Sequence, residues 1–175
     1  MTTAIYPGTF DPIHNGHIDI ARRATRIFDE LIIAVYDRPL KSLLFDTVER
    51  IALLEKALEP IPRIRIVSYN TLTVDFAQQV GAHVIVRGLR VFSDFELEFR
   101  MALTNKQLAP DIEFVCFITN QEHTFLSSST VKEVAALGGN ISEMVPPHVA
   151  EAMQARFSQM DSEGTNSTPI VSLRD

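Results

Sequence analysis

Two histidines three positions apart, His14 and His17, are the first residues of this chain whose spacing suggests chemistry. They close the run Tyr6-Pro7-Gly8-Thr9-Phe10-Asp11-Pro12-Ile13-His14-Asn15-Gly16-His17. An apolar segment, Ala4-Ile5-Tyr6, precedes the run, and a helical pattern follows it. Pro and Gly at these positions specify a tight backbone. A helix starting there presents unpaired N–H groups and a partial positive charge, which suits phosphate. The histidines then stand at that terminus as donors. Two other readings compete. His-x-x-His could ligate a metal, although no cysteine or acidic partner is suitably spaced nearby. The pair could also be surface residues of a capped helix.

Three more clusters carry polar groups to the ends of apolar runs. Asp37-Arg38-Pro39-Leu40-Lys41 ends in a lysine. It is either ordinary solvated surface or a mobile ammonium that can follow charge developing on a phosphate. Val86-Arg87-Gly88-Leu89-Arg90 sets two guanidiniums about a glycine, which suggests an anion site. Two exposed arginines on a turn are the plainer alternative. Ser127, Ser128 and Ser129 open a helix. One serine suffices as an N-cap, so three leave hydroxyls and N–H groups for phosphates.

The elements that must position these clusters alternate. Strands are expected at residues 4–6, 31–36, 64–67, 84–86 and 114–118. The first helix spans about Gly16 to Phe28, with Ile20, Ala24 and Ile27 on its inner stripe. Asp46-Thr47-Val48-Glu49 has capping-box form and opens a helix that turns Val48, Ile51, Leu54 and Leu58 inward. A third helix around Val74 to Val80 ends at Gly81. Ser93-Asp94-Phe95-Glu96 is a second capping box, for a helix reaching about Leu108. Helices at Ser129–Leu137 and from Pro146 to about Phe157 complete the pattern. This alternation predicts an α/β fold: a Rossmann-like, doubly wound, parallel five-stranded sheet with flanking helices. Such sheets bind ligands beyond the carboxyl ends of their strands. The loops after Tyr6, Tyr36, Val67, Val86 and Ile118 should therefore share one face.

Composition narrows the class. The chain has 175 residues, 46% hydrophobic and 22% charged, which fits one domain over residues 1–160. Residues 161–175 read as a polar tail without a catalytic role. The net charge of −6 argues against nucleic acid as a partner. No apolar run approaches membrane-spanning length, and the first residues lack signal-peptide form, so a cytoplasmic enzyme is expected. The single cysteine, Cys116, is expected to be a buried, inert strand thiol.

Taken together, Thr9-Phe10-Asp11-Pro12 and His14-Asn15-Gly16-His17 resemble the HxGH signature of the nucleotidyltransferase superfamily. In detail they look like bacterial phosphopantetheine adenylyltransferases. The resemblance covers residues 4–157 and includes the second signature, I-S-S-[ST]-x-x-[KR], here with Leu126 in first place. It implies transfer of AMP from ATP to 4′-phosphopantetheine, giving dephospho-coenzyme A and pyrophosphate. It implies His17, Lys41 and Arg90 as catalytic residues. ATP would be bound by Thr9, Phe10, His14, His17, Gly88, Leu89, Arg90 and Glu98. His123, Thr124, Phe125, Leu126, Ser127, Ser128 and Ser129 would join them. The acceptor would contact Thr9, Lys41, Leu72, Thr73 and Arg87, with Asn70 in the same loop. Mg2+ would arrive on the ATP phosphates rather than at a protein site. A homohexamer and feedback inhibition by coenzyme A are implied as well. His123 stands where relatives carry tryptophan, Leu97 where tyrosine is common and Thr73 where methionine is frequent. The rivals are a transferase acting on nicotinamide mononucleotide or glycerol 3-phosphate, and a nucleotide-binding module without catalysis.

Overall fold

The computed structural model describes residues 2–39 and 42–162, so Lys41 lies outside the described residues. Five strands form one parallel sheet: β1 (Thr3–Gly8), β2 (Glu30–Tyr36), β3 (Ile64–Tyr69), β4 (Val84–Leu89) and β5 (Glu113–Ile118). Their order is β3-β2-β1-β4-β5. The helices are α1 (Asn15–Ala24), α2 (Thr47–Leu58), α3 (Thr73–Gln79), α4 (Phe92–Leu108), α5 (Ser128–Ala136) and α6 (Pro147–Ser162). The chain winds outward from β1 through β2 to β3, then returns to lay β4 on the other side of β1. The crevice where the winding reverses is where such sheets bind ligands.

The alternation of side chains along the central strands divides the core. Tyr6, Leu31, Ile33, Val35, Val84 and Val86 face a layer with α1, α2, α5 and α6. Ile5, Ile32, Ala34 and Ile85 face the opposite way, against Val74, Phe76 and Ala77 of α3. Burial on both faces explains why β2 reads as an unbroken apolar run. The fold expected from the sequence is the fold observed.

Several local expectations change. The first helix ends at Ala24, and residues 25–27 tighten into a turn with Arg26 N–H donating to Arg23 O and Ile27 N–H to Ala24 O. That rotation brings Phe28 inward and leaves Ile27 65% exposed. Val48, in the first turn of α2, is 76% exposed, while Leu54 and Leu58 are buried. The Asp46–Glu49 capping box forms, with Glu49 N–H donating to Asp46 at 2.8 Å and Asp46 N–H donating to Glu49 at 2.9 Å. The second expected box does not form. Helix α4 starts one residue before Ser93, at Phe92, and Asp94 turns back to Arg90 instead. Strand β4 runs on to Leu89, so Arg87 and Gly88 belong to the strand rather than to the loop after it. Cys116 is exposed, because β5 is an edge strand whose outer face the described residues do not cover. The last helix extends to Ser162, beyond its expected end near Phe157, and residues 163–175 of the expected tail lie outside the described residues. No helix among the described residues is long and apolar enough to cross a membrane.

Candidate active site

A cleft of about 390 Å³ opens over the carboxyl ends of β1 and β4 and the amino ends of α1 and α5. A second, of about 270 Å³, lies on the sheet face that packs on α3, among Tyr36, Tyr69, Leu72, Thr73, Met101 and Phe114. The two clefts share Pro7, Gly8, Thr9 and Arg87. Two different ligands bound in them would therefore meet at the end of β1.

The first loop is built for close packing. A Cβ on Gly8 would come within 2.9 Å of the Phe10 ring. Phe10 holds a left-handed φ of 51°, an uncommon conformation for a residue with a side chain. Its ring packs edge-on against Tyr6 and His17, with centroids 5.5 and 5.0 Å away. The His14 N–H donates to His17 Nδ1 at 3.3 Å, and the two rings stack with centroids 3.6 Å apart. Because Nδ1 accepts, the proton of a neutral His17 ring sits on Nε2. No acidic side chain occupies the first turn of α1 or of α5. The positive ends of both helices thus remain uncompensated, as an anion site requires.

His14 is 5% exposed, and its Nδ1 has no partner among the described residues. Burial, then the nearby charges of Arg90 and His123, pull its pKa down to about 3. His14 is a neutral donor, not a cation, at any physiological pH. The linkage sign follows. A folded-state pKa below the unfolded value of about 6.5 gives stability that is present above pH 6.5 and lost as pH falls towards 3. Replacing His14 by Asn should flatten the fall in stability across that window, measured by denaturant titration at several pH values. An unchanged slope would mean that other groups set it.

The arginines are more constrained than the sequence suggests. Arg87 Nε and Nη2 donate to both oxygens of Glu98 at 2.8 and 2.6 Å, and Nη1 donates to Pro7 O at 2.8 Å. Burial alone would lower the pKa of Arg87, but the Glu98 bonds and charge outweigh it and raise it. Arg90 makes a similar fork onto Asp94, at 2.9 and 3.0 Å, and donates to Leu126 O at 2.8 Å. Burial works against the Asp94 charge, yet the Arg90 bonds hold its pKa below the usual carboxylate range. Each guanidinium is thus fixed in place and matched by a carboxylate on α4.

The serines divide their work. Ser127 is the N-cap, accepting from Thr130 N–H at 3.0 Å. Ser128 Oγ donates to Pro12 O at 2.8 Å and ties α5 to the first loop. Those two hydroxyls are engaged within the protein, and Ser127, Ser128 and Ser129 all line the larger cleft. Thr9, Phe10, His14, His17, Gly88, Arg90, Glu98, His123 and Leu126 line it too. Leu89, Thr124 and Phe125 do not. The Thr124 hydroxyl turns back to Gln121 O, and Phe125 faces outward. Leu72 and Thr73 line the second cleft, with Thr73 Oγ1 and Tyr69 Oη 3.0 Å apart. Asn70 is exposed. Gly88 owes its lack of a side chain to helix packing, since a Cβ there would lie 2.4 Å from Ile20 Cδ1.

Sequence reasoning missed two buried ionic groups beneath the clefts. Asp11 accepts from Leu44 N–H and Phe45 N–H at 3.0 Å each and from Lys132 Nζ at 2.8 Å. This ties the first signature to the second and to the segment that leads into α2. Arg50 is fully buried and donates to Thr9 O, Tyr36 O and Thr47 Oγ1 at 2.7, 2.9 and 2.7 Å. It clamps the ends of β1 and β2 together. A charged residue on an apolar helix face was the available signal for Arg50. For Lys132 it was the basic residue that closes the second signature.

Residues 5–134 match the family model described as cytidylyltransferase-like. The phosphopantetheine adenylyltransferase of Roseiflexus sp. is 54% identical over 159 residues, covering 91% of this chain and 99% of that one. The enzymes of that name from Roseiflexus castenholzii and Desulfitobacterium hafniense are 55% and 53% identical, covering 91% and 90% of this chain and 99% and 96% of theirs. The chain belongs to the phosphopantetheine adenylyltransferase family.

Proposed function

We propose that this chain transfers the adenylyl group of ATP to 4′-phosphopantetheine, releasing pyrophosphate and giving dephospho-coenzyme A. The observation that carries this reading is the junction of the two clefts at Thr9 and Arg87. On one side, two helix amino ends, His14 and His17 suit a polyphosphate. On the other, the apolar and aromatic wall of Tyr36, Tyr69, Leu72 and Met101 suits the slender arm of the acceptor.

In the reaction, a phosphate oxygen of the acceptor forms a bond to the α-phosphorus of ATP. The bond from that phosphorus to the oxygen bridging it to the β-phosphorus breaks, and pyrophosphate leaves with the electron pair. The nucleophile is already an anion, so no strong base is needed. Catalysis comes from alignment and from stabilising charge on the α-phosphate. His17 donates from Nε2 to the α-phosphate as negative charge builds there. The Phe10 N–H and Thr9 orient the phosphates. Arg87 draws in the acceptor phosphate, and Lys41 bridges the two reactants. Arg90 and the residues opening α5 hold ATP.

Among the described residues no group of three His, Cys, Asp or Glu could hold a metal ion. The cleft carboxylates Asp94 and Glu98 are engaged by arginines. In this reading magnesium, which shields the phosphate charge when bound, would be carried by the ATP phosphates and water. The direct test is pyrophosphate release from ATP with 4′-phosphopantetheine, nicotinamide mononucleotide and glycerol 3-phosphate as acceptors. Release with the first alone is expected, and ATP binding without release would leave only a sensing module.

A homohexamer is part of this reading. Its support is α4, in which Glu98 alone is buried and Phe92 (86%), Phe95, Phe99 and Leu103 stand exposed along one side. An apolar stripe of that extent marks an interaction surface. Sedimentation of the purified protein should show six copies, and a monomer at micromolar concentration would refute it. Feedback inhibition by coenzyme A and a cytoplasmic location complete the proposal. Coenzyme A contains both the adenylyl and pantetheine parts of the product and would span both clefts.

A further inference from the structure

We infer that Thr119 reads the base of the bound nucleotide, its hydroxyl hydrogen-bonding the purine edge. This rests on the ATP-dependent reading above and adds a residue to it.

Thr119 follows β5 directly, and its N–H continues the sheet ladder by donating to Leu89 O at 2.8 Å. The residue is only 6% exposed and lines the larger cleft. Its Oγ1 is buried without a hydrogen-bond partner among the described residues. A buried hydroxyl left unpaired is costly, so such groups are expected to have a use. A ligand atom is the partner the cleft can supply.

The position of Thr119 says which part of the ligand that is. The end of β5 is anchored to the body of α1, not to its start. Arg23 Nη1 donates to Ile118 O at 2.8 Å, and Asn120 Nδ2 donates to Asp19 Oδ1 at 3.0 Å. Oγ1 also lies beside Gly88, 3.9 Å from where a Cβ would stand, next to Ile20. Thr119 is therefore level with residues 19–23 of α1, about five residues below the histidine-bearing first turn. At about 1.5 Å per residue that is about 8 Å. A polyphosphate held at the helix ends puts its ribose across that interval and its base beside Thr119. The fork of Arg90 is committed to Asp94, so its planar face is what remains for a flat ring.

A hydroxyl both donates and accepts. It can serve a ring nitrogen, an amino group or an oxo group, so Thr119 adds affinity for purines without choosing adenine over guanine. Substituting Thr119→Val keeps the shape and removes the hydroxyl, whereas Thr119→Ser keeps the hydroxyl. Calorimetric titration of each with ATP, AMP and tripolyphosphate separates base from phosphate. The valine variant should bind ATP and AMP about tenfold more weakly, with tripolyphosphate affinity and the KM for 4′-phosphopantetheine little changed. The serine variant should bind both nucleotides nearly as the wild type does. Equal ATP affinity in the valine variant and the wild type overturns the role, as does a loss shared by tripolyphosphate. If the valine variant fails to fold, weakened AMP binding by a folded serine variant overturns it. Wild-type protein that releases no pyrophosphate would overturn the functional reading instead.

Discussion

Replacing His17 by Ala lowers kcat by about a hundred- to a thousandfold while ATP affinity changes little. The size follows from where the ring stands. His17 is held by a hydrogen bond on Nδ1, by stacking on His14 and by edge contacts with Phe10. It cannot swing away, so its Nε2–H is preorganised for a charge that is largest at the transition state. A donor fixed in this way does little for the ground-state complex, because the Phe10 N–H and the residues opening α5 also hold the phosphates. Steady-state kinetics beside direct ATP titration makes the separation. A variant with normal kcat and a raised KM would show that His17 only binds. Replacement by Gln, which retains a donor, should recover part of the rate.

The second large effect concerns stability. Replacing Lys132 by Met should cost about 3–5 kcal/mol, because it leaves the Asp11 carboxylate buried with no counter-charge. Asp11 and Lys132 are both buried, and their contact is 2.8 Å. The Leu44 and Phe45 N–H groups remain as donors to Asp11, so the loss should stop short of complete unfolding. Changing Asp11 to Asn in the same chain removes the stranded charge and should return part of the stability. Denaturant unfolding of the two single variants and the double variant tests this as a cycle. A loss below about 1 kcal/mol in the lysine variant would mean that water reaches the pair. The same pair aligns both signature segments, so a folded Lys132 variant should also lose activity.

These two residues show how differently information is carried along the chain. His17 was legible from sequence, since its spacing from His14 and its place before an amphipathic helix are local properties. The role of Lys132 was not, because its partner is 121 positions away. A side chain that closes a signature motif is easily read as another ligand for phosphate. Arg87 and Arg90 fall between these cases. Their presence at a strand end was visible and suggested free cations. Their pairing with Glu98 and Asp94 was not, because it depends on how α4 lies across β4. The misjudged edges of elements have the same origin. Ile27 and Val48 fit a helical stripe in one dimension, but a turn and a helix end rotate them out to solvent. Cys116 matches a buried strand until the sheet order makes β5 an edge.

By itself, the sequence determined the parallel α/β fold, the alternation of its elements and the chemical character of the strand-end loops. Those follow from local periodicity, from glycine and proline geometry and from the residue types beside each apolar run. Only the tertiary structure decided that the two clefts meet at Thr9 and Arg87, that the arginines are paired and that Thr119 carries a spare hydroxyl. Such features depend on distances between segments far apart in the chain. Those distances are set by sheet order and helix packing, which no single stretch of residues encodes.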